Sequence, residues 1–236
     1  MRLPEHLEAA VSLPPNPLEL EAVLKSHGRL FSEELGIQLS DLSSDQLFKW
    51  FVVSLLFGAR IRESAAVRTY RELEKRGLLT PEALRAADFW EMIDVMASGG
   101  YSRYDGITTR KLQGAATKLL EDYGGDLKRL HALAADGLDL VVRLKEFWGV
   151  GDTTAGILLR ELRGLWPKAN PPIGELALLA AGHLQLGDAA IYWNCIAVPG
   201  YDFRHLEAVL TRLGRDFCRR HRCRQSPLPH SDERGH

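Results

Sequence analysis

The chain has 236 residues, 45% of them hydrophobic, with a formal net charge of −1. That length carries one large domain or two small interlocked ones, with enough apolar side chains for a core. No apolar run reaches bilayer length, the N-terminal stretch MRLPEHLEAAVSLPPNPLEL has an early Glu and no apolar signal core, and three Cys make no disulfide scaffold, so the expectation is a cytoplasmic protein with no membrane contact.

In chain order, Pro14-Pro15-Asn16-Pro17 separates a short leading piece from a helix over 18–26. Residues 41–44 form a loop or cap before the helix 46–57, whose sequence QLFKWFVVSLLF is apolar nearly all round and therefore central. A helix over 62–76 ends at Gly77. Thr80-Pro81-Glu82 starts another, with Thr as N-cap and Pro in the first turn. A short helix covers 88–96, and Gly99-Gly100 breaks the chain before Tyr101-Ser102-Arg103-Tyr104-Asp105. Thr108 and Thr109 open a helix that runs to Tyr123 and stops at Gly124-Gly125. Helices over 126–133, 138–147, 174–183 and 201–220 follow, and 226–236 reads as a disordered tail. No stretch alternates as a strand would, so the class is all-α.

The most informative stretch is 144–162, LKEFWGVGDTTAGILLREL. It reads helix, Gly149-Val150-Gly151, helix. Glycines at such a turn keep side chains away from an approaching ligand. The turn also presents backbone N–H groups at the start of the second helix, a ready site for phosphate.

With this motif the chain resembles the helix-hairpin-helix DNA glycosylases, the endonuclease III-like superfamily. The likeness covers about residues 46–226, with the landmarks in the family's order: apolar helix, glycine-tyrosine turn, hairpin, Trp166-Pro167, and a C-terminal Cys/Arg segment. It implies a two-subdomain helical fold with a cleft between the subdomains. Residues 45–174 would form a six-helix subdomain carrying the hairpin; residues 1–44 and 175–225 would form the other. The implied partner is double-stranded DNA with a flipped or damaged base, bound by a monomer.

The family's chemistry is missing from its usual places. Thr153 stands where lyase-type members carry a catalytic Lys, and the essential Asp position falls at or beside Pro172. Neither residue can supply an amine for a Schiff base or a carboxylate beside an oxocarbenium-like sugar. Three carboxylates are candidates for a relocated acid: Glu175, Asp105 and Asp152. Each has a plainer reading, Glu175 and Asp152 as helix-start residues and Asp105 as part of a polar turn.

The candidate DNA contacts are Gly149, Val150, Gly151 and Thr153 at the hairpin, with Lys145 adding charge. Such contacts position a protein on DNA without reading its sequence. Tyr101, Arg103 and Tyr104 suit stacking and a phosphate grip. Arg60 follows the central helix, where Ala59 stands near the position of the family's base-wedging Gln. Seven Arg (204, 212, 215, 219, 220, 222 and 224) stand between 204 and 224, and of these Arg219 and Arg220 are taken as contacts.

Cys218-Arg-Arg-His-Arg-Cys223-Arg-Gln-Ser226 resembles the family's iron–sulfur loop, but Ser226 replaces one Cys and no fourth Cys follows. Four thiolates cannot be assembled. Zinc on Cys218, His221, Cys223 and His230 is the alternative to a metal-free Arg-rich loop; the latter is taken, with no metal and no cofactor expected. The functional expectation is a DNA-binding protein of a repair lineage without the Lys/Asp pair. The alternatives are a monofunctional glycosylase with a relocated acid and an interaction protein on the same scaffold.

Overall fold

The structure, a computed structural model, describes residues 15–59, 61–101 and 104–223. The described residues are helical, without a strand. The helices are α1 (Pro17–His27), α2 (Phe31–Glu34), α3 (Ser44–Phe57), α4 (Glu63–Lys75), α5 (Pro81–Ala86), α6 (Phe89–Gly99), α7 (Asp105–Tyr123), α8 (Leu127–Leu133), α9 (Gly137–Lys145), α10 (Asp152–Arg160), α11 (Glu175–His183), α12 (Ala189–Ile196) and α13 (Phe203–Asp216). The tail over 226–236 lies outside the described residues.

Polar side chains and glycines set most of these ends. The Ser43 hydroxyl accepts the Gln46 N–H at the start of α3, the Thr80 hydroxyl accepts the Ala83 N–H at α5, and the Asp88 carboxylate accepts the Trp90 and Glu91 N–H groups at α6. Gly100 and Gly124 close α6 and α7 in the left-handed region (φ 94° and 62°), which glycine enters without steric penalty. Helix α7 begins at Asp105, ahead of the expected Thr108 and Thr109, which are buried within it. Helix α13 ends at Asp216, short of the expected 220. Phe217 leaves helical geometry there (φ −120°, ψ −61°) and a 3-10 turn, Cys218–Arg220, follows. Two elements had no counterpart in the sequence reading, α2 and α12; the latter is capped by Asp188, which accepts from Ala190 and Ile191.

The chain divides into two compact units. One joins Met1–Glu34 to Pro172–His236; the other is Leu35–Pro171. Residues 35–44 thus belong with the central unit, whereas the sequence grouped them with the chain ends. Ile37 and Leu39 are buried, and the Gln46 carboxamide of α3 accepts the Gln38 N–H at 2.9 Å.

In the central unit α3 is the core helix. Leu47, Phe48, Trp50, Phe51 and Leu56 are all buried. The Trp50 indole N–H donates to the Leu158 carbonyl of α10 at 3.1 Å, satisfying a polar atom inside the core. Gly58, just past α3, lets Thr154 of α10 approach so closely that a Cβ there would stand 3.1 Å from the Thr154 Cβ.

In the unit built from the chain ends, α13 buries Leu206, Val209 and Leu210 against Leu20 and Leu24 of α1 and Ala177, Ala180 and Ala181 of α11. Arg212 of α13 is buried. Its guanidinium lies 4.1 Å from the Phe31 ring centroid, donates to the His27 carbonyl at 3.0 Å and pairs with Glu34 at 2.9 Å.

Asp202 caps α13, accepts the Arg204 N–H and binds the Arg204 guanidinium and the His205 ring. Burial opposes its charge, yet hydrogen bonds from His205 and Arg204 hold the carboxyl well below the usual carboxylate range. A depressed folded-state pKa gives stabilisation that is present above about pH 4 and is lost as pH falls. Asp202→Asn keeps a capping oxygen. It should lower the thermal midpoint at neutral pH and flatten its fall towards about pH 2. A fall as steep as in the wild type would show that the carboxylate contributes nothing.

Candidate functional site

The hairpin lies wholly in the central unit, between α9 and α10. Phe147 and Val150 point into the core and anchor it. The Phe147 ring meets Phe51 edge-on at 5.3 Å and stacks on Tyr123 at 6.1 Å. Val150 donates its N–H to the Phe147 carbonyl at 3.0 Å. Val150 is therefore a hydrophobic peg, and any contact it makes with a ligand comes from its backbone.

Gly149 adopts φ +95°, the left-handed region. A Cβ there would stand 2.8 Å from Cδ of Lys111, so the aliphatic part of that lysine crosses the turn closely. Lys111, on α7, is a cationic residue beside the hairpin that the sequence reading missed. Its position 38 residues upstream in the sequence carries no local signal.

Gly151 is the N-cap of α10 at φ −108°, with no side-chain hydrogen bond capping the helix. Nothing lies within 4 Å of the place its Cβ would take. Gly151, Asp152 and Thr153 are exposed in sequence. The first turn of α10 therefore presents backbone N–H groups to solvent at the positive end of the helix dipole. Lys145 Nζ pairs with Asp152 Oδ1 at 2.7 Å, bridging the two ends of the hairpin. Asp152 thus does not cap its own helix by a side-chain bond. It holds the cation that stands beside the turn.

The remaining candidates are scattered. Tyr101 is a correction: its ring is buried, and its hydroxyl donates to the Leu56 carbonyl at 2.7 Å. Burial pushes the phenol well above its ordinary range. It ties α3 to the turn before α7, and its face is not open to a base. Tyr104 is exposed at the N-cap of α7. Arg60 and Arg103 lie outside the described residues. Asp105 starts α7 and its Oδ1 accepts the Gly106 N–H at 2.6 Å.

Glu175 is the first residue of α11, exposed, with Gly174 as N-cap and no capping box. The helix starts three residues after Pro172. Asp105 and Asp152 belong to the central unit and Glu175 to the other. The Trp166-Pro167 landmark has a structural use: Trp166 is buried and stacks on His131 at 4.6 Å, while Lys168 Nζ donates to the His131 carbonyl at 2.9 Å.

The arginine run is less basic than its sequence suggests. Arg204 binds Asp202, Arg212 is buried against Glu34, and Arg215 pairs with Asp216 at 2.9 Å. Arg219, Arg220 and Arg222 remain exposed around the 3-10 turn, and Arg224 lies outside the described residues. The two cysteines of that segment come together with a histidine, but it is His183 of α11 rather than His221, which is exposed. His230 lies outside the described residues. Cys195 is exposed on α12. With three cysteines in the whole chain, a four-thiolate cluster does not fit.

Among the described residues no helix is long and apolar enough to cross a membrane. Searches against protein-family models, curated proteins and solved structures find no match to this chain.

Proposed function

We propose that the protein binds duplex DNA through the α9–α10 hairpin, as a helix-hairpin-helix protein of glycosylase lineage that lacks the Lys/Asp pair. The observation that carries this reading is the hairpin itself. A left-handed glycine and a buried peg hold the turn, open space surrounds Gly151, and the first turn of α10 has no side-chain cap. Backbone N–H groups so presented suit a phosphate oxygen. Lys145 and Lys111, both beside the turn, supply charge for a sequence-independent grip. Thr153 has no amine and Pro172 no carboxylate, so binding rather than lyase chemistry is the reading.

Fluorescence anisotropy with a labelled duplex across a salt series tests it. Binding should be weak, with a dissociation constant on the order of 10 μM near physiological salt, and should fall steeply as salt rises. Gly151→Glu is the informative variant. Its backbone φ suits any residue and its Cβ meets nothing, so the fold should survive while a negative side chain occupies the phosphate position. Affinity should drop by about tenfold or more, equally for every DNA sequence, the equivalent of about 1.4 kcal/mol. Unchanged affinity in a variant with wild-type melting would favour the interaction-protein reading.

A further inference from the structure

A second cluster lies in the unit formed by the chain ends, independent of the hairpin. His183, in the last turn of α11, places Nδ1 2.9 Å from Sγ of Cys223. With Cys218 Sγ, these donor atoms all lie within 4.8 Å of one another. We propose that His183, Cys218 and Cys223 form a zinc site that fastens the C-terminal turn to α11.

The local backbone builds this arrangement. After α13 ends at Asp216, three hydrogen bonds curl the chain: Arg220 N–H and Arg222 N–H to the Phe217 carbonyl, each at 3.0 Å, and His221 N–H to the Cys218 carbonyl at 3.1 Å. His221 takes a left-handed conformation (φ 54°) to complete the reversal. The curl leaves the Cys218 and Cys223 thiols close to the His183 ring, while His221, the nearer histidine in sequence, is exposed and outside the cluster. The third donor comes from 40 residues away. Cys218 is buried in the edge of the core formed by α1, α11, α12 and α13, and Cys223 packs against that core.

The donor chemistry selects the ion. Two thiolates and an imidazole are soft to borderline ligands, suited to zinc and unsuited to magnesium or calcium. Zn–S bonds near 2.3 Å and Zn–N bonds near 2.0–2.1 Å put neighbouring donors about 3.5–3.8 Å apart in a tetrahedron. The three donors reach that spacing with shifts of about 1 Å or less. Binding releases the thiol protons and leaves a site without net charge, since two thiolates balance the dication. Water completes the tetrahedron. A metal clip of this kind suits a small unit that closes its core with segments from both chain ends.

The test uses the full chain, reduced and stripped with chelator, then supplied with zinc or with cobalt(II) as a spectroscopic stand-in. Elemental analysis after desalting should give an equivalent of zinc per chain. The cobalt form should show a sulfur-to-metal charge-transfer band and visible bands of tetrahedral intensity. Zinc should raise the thermal midpoint, and chelator should reverse it. His183→Ala and Cys223→Ser should each lose stoichiometric zinc, while His221→Ala should retain it. Cys218 is buried, so Cys218→Ser can fail to fold; the wild-type cobalt spectrum and the His183 and Cys223 variants decide the matter without it. Two results would overturn the proposal: no metal retained by the reduced wild type, or retention in His183→Ala with loss in His221→Ala.

Discussion

Gly214→Ala is expected to unfold the unit built from the chain ends. Gly214 lies on α13, and a Cβ there would stand 1.9 Å from the Leu176 carbonyl oxygen and 2.6 Å from its carbon. The obstacle is main chain, so no side-chain rotation relieves it. The two helices must separate, opening the core that Leu206, Val209 and Leu210 share with Ala177, Ala180 and Ala181. Overpacking a core costs about 1–3 kcal/mol and occasionally more. With a rigid backbone opposite, the loss here should reach about 3 kcal/mol or beyond, a large fraction of a typical stability of about 5–15 kcal/mol. Gly182→Ala is the control. It sits in α11 with nothing within 4 Å of its Cβ, and should be neutral or gain up to about 1 kcal/mol from helix propensity. Denaturant titration followed by circular dichroism measures both. A Gly214→Ala protein as stable as the wild type would mean that α11 and α13 do not meet at this separation.

Trp50→Ala should have a comparable effect on the central unit. The side chain is fully buried on α3, and its indole N–H is the partner of the Leu158 carbonyl on α10. Truncation leaves a cavity and deprives that carbonyl of its indole partner. Large aromatic-to-alanine changes cost about 3–5 kcal/mol, and an unsatisfied buried acceptor adds about 1–3 kcal/mol when water cannot enter. Because Trp50 joins α3 to α10, the hairpin should lose protection with the core. Hydrogen exchange at the Val150 and Ala155 amides, both internally bonded in the wild type, should accelerate in step with global unfolding. Trp50→Phe separates the two contributions, since it keeps most of the volume and removes only the donor. A melting temperature unchanged in Trp50→Ala would refute the assignment of α3 as the core helix.

The parts of this fold that were legible in the sequence are those written locally. Thr80 caps α5 because an oxygen next to the first turn meets its free N–H groups, and the cap before α3 falls within the stretch 41–44. Gly100 and Gly124 stop α6 and α7 because only glycine turns left-handed cheaply. The all-round apolar run of α3 implied a central helix, and it is one. What escaped depends on distant partners. Tyr101 looked like an exposed aromatic because its partner, the Leu56 carbonyl, is 45 residues away. Arg212 looked like part of a basic face because Phe31, His27 and Glu34 come from the opposite end of the chain. His183 had no reason to be matched with Cys223 until the turn after α13 folded back. In the hairpin the local pattern showed the glycines, while Lys111 and the Lys145–Asp152 pair emerged only once α7, α9 and α10 were placed.

The Lys145–Asp152 pair gives the hairpin a resident anion. Asp152 is 86% exposed and Lys145 43%, so the bond between them is weak and easily exchanged. At Lys145 an incoming phosphate would find the cation already paired. It would displace a tethered carboxylate that is always present at the same effective concentration, whatever the dilution. Added electrolyte then acts on both competitors, screening the visitor and loosening the occupant alike. The hairpin would behave as an ion exchanger preloaded with its own counter-ion, indifferent to scarce small anions and yielding to a polymer that brings many phosphates at once.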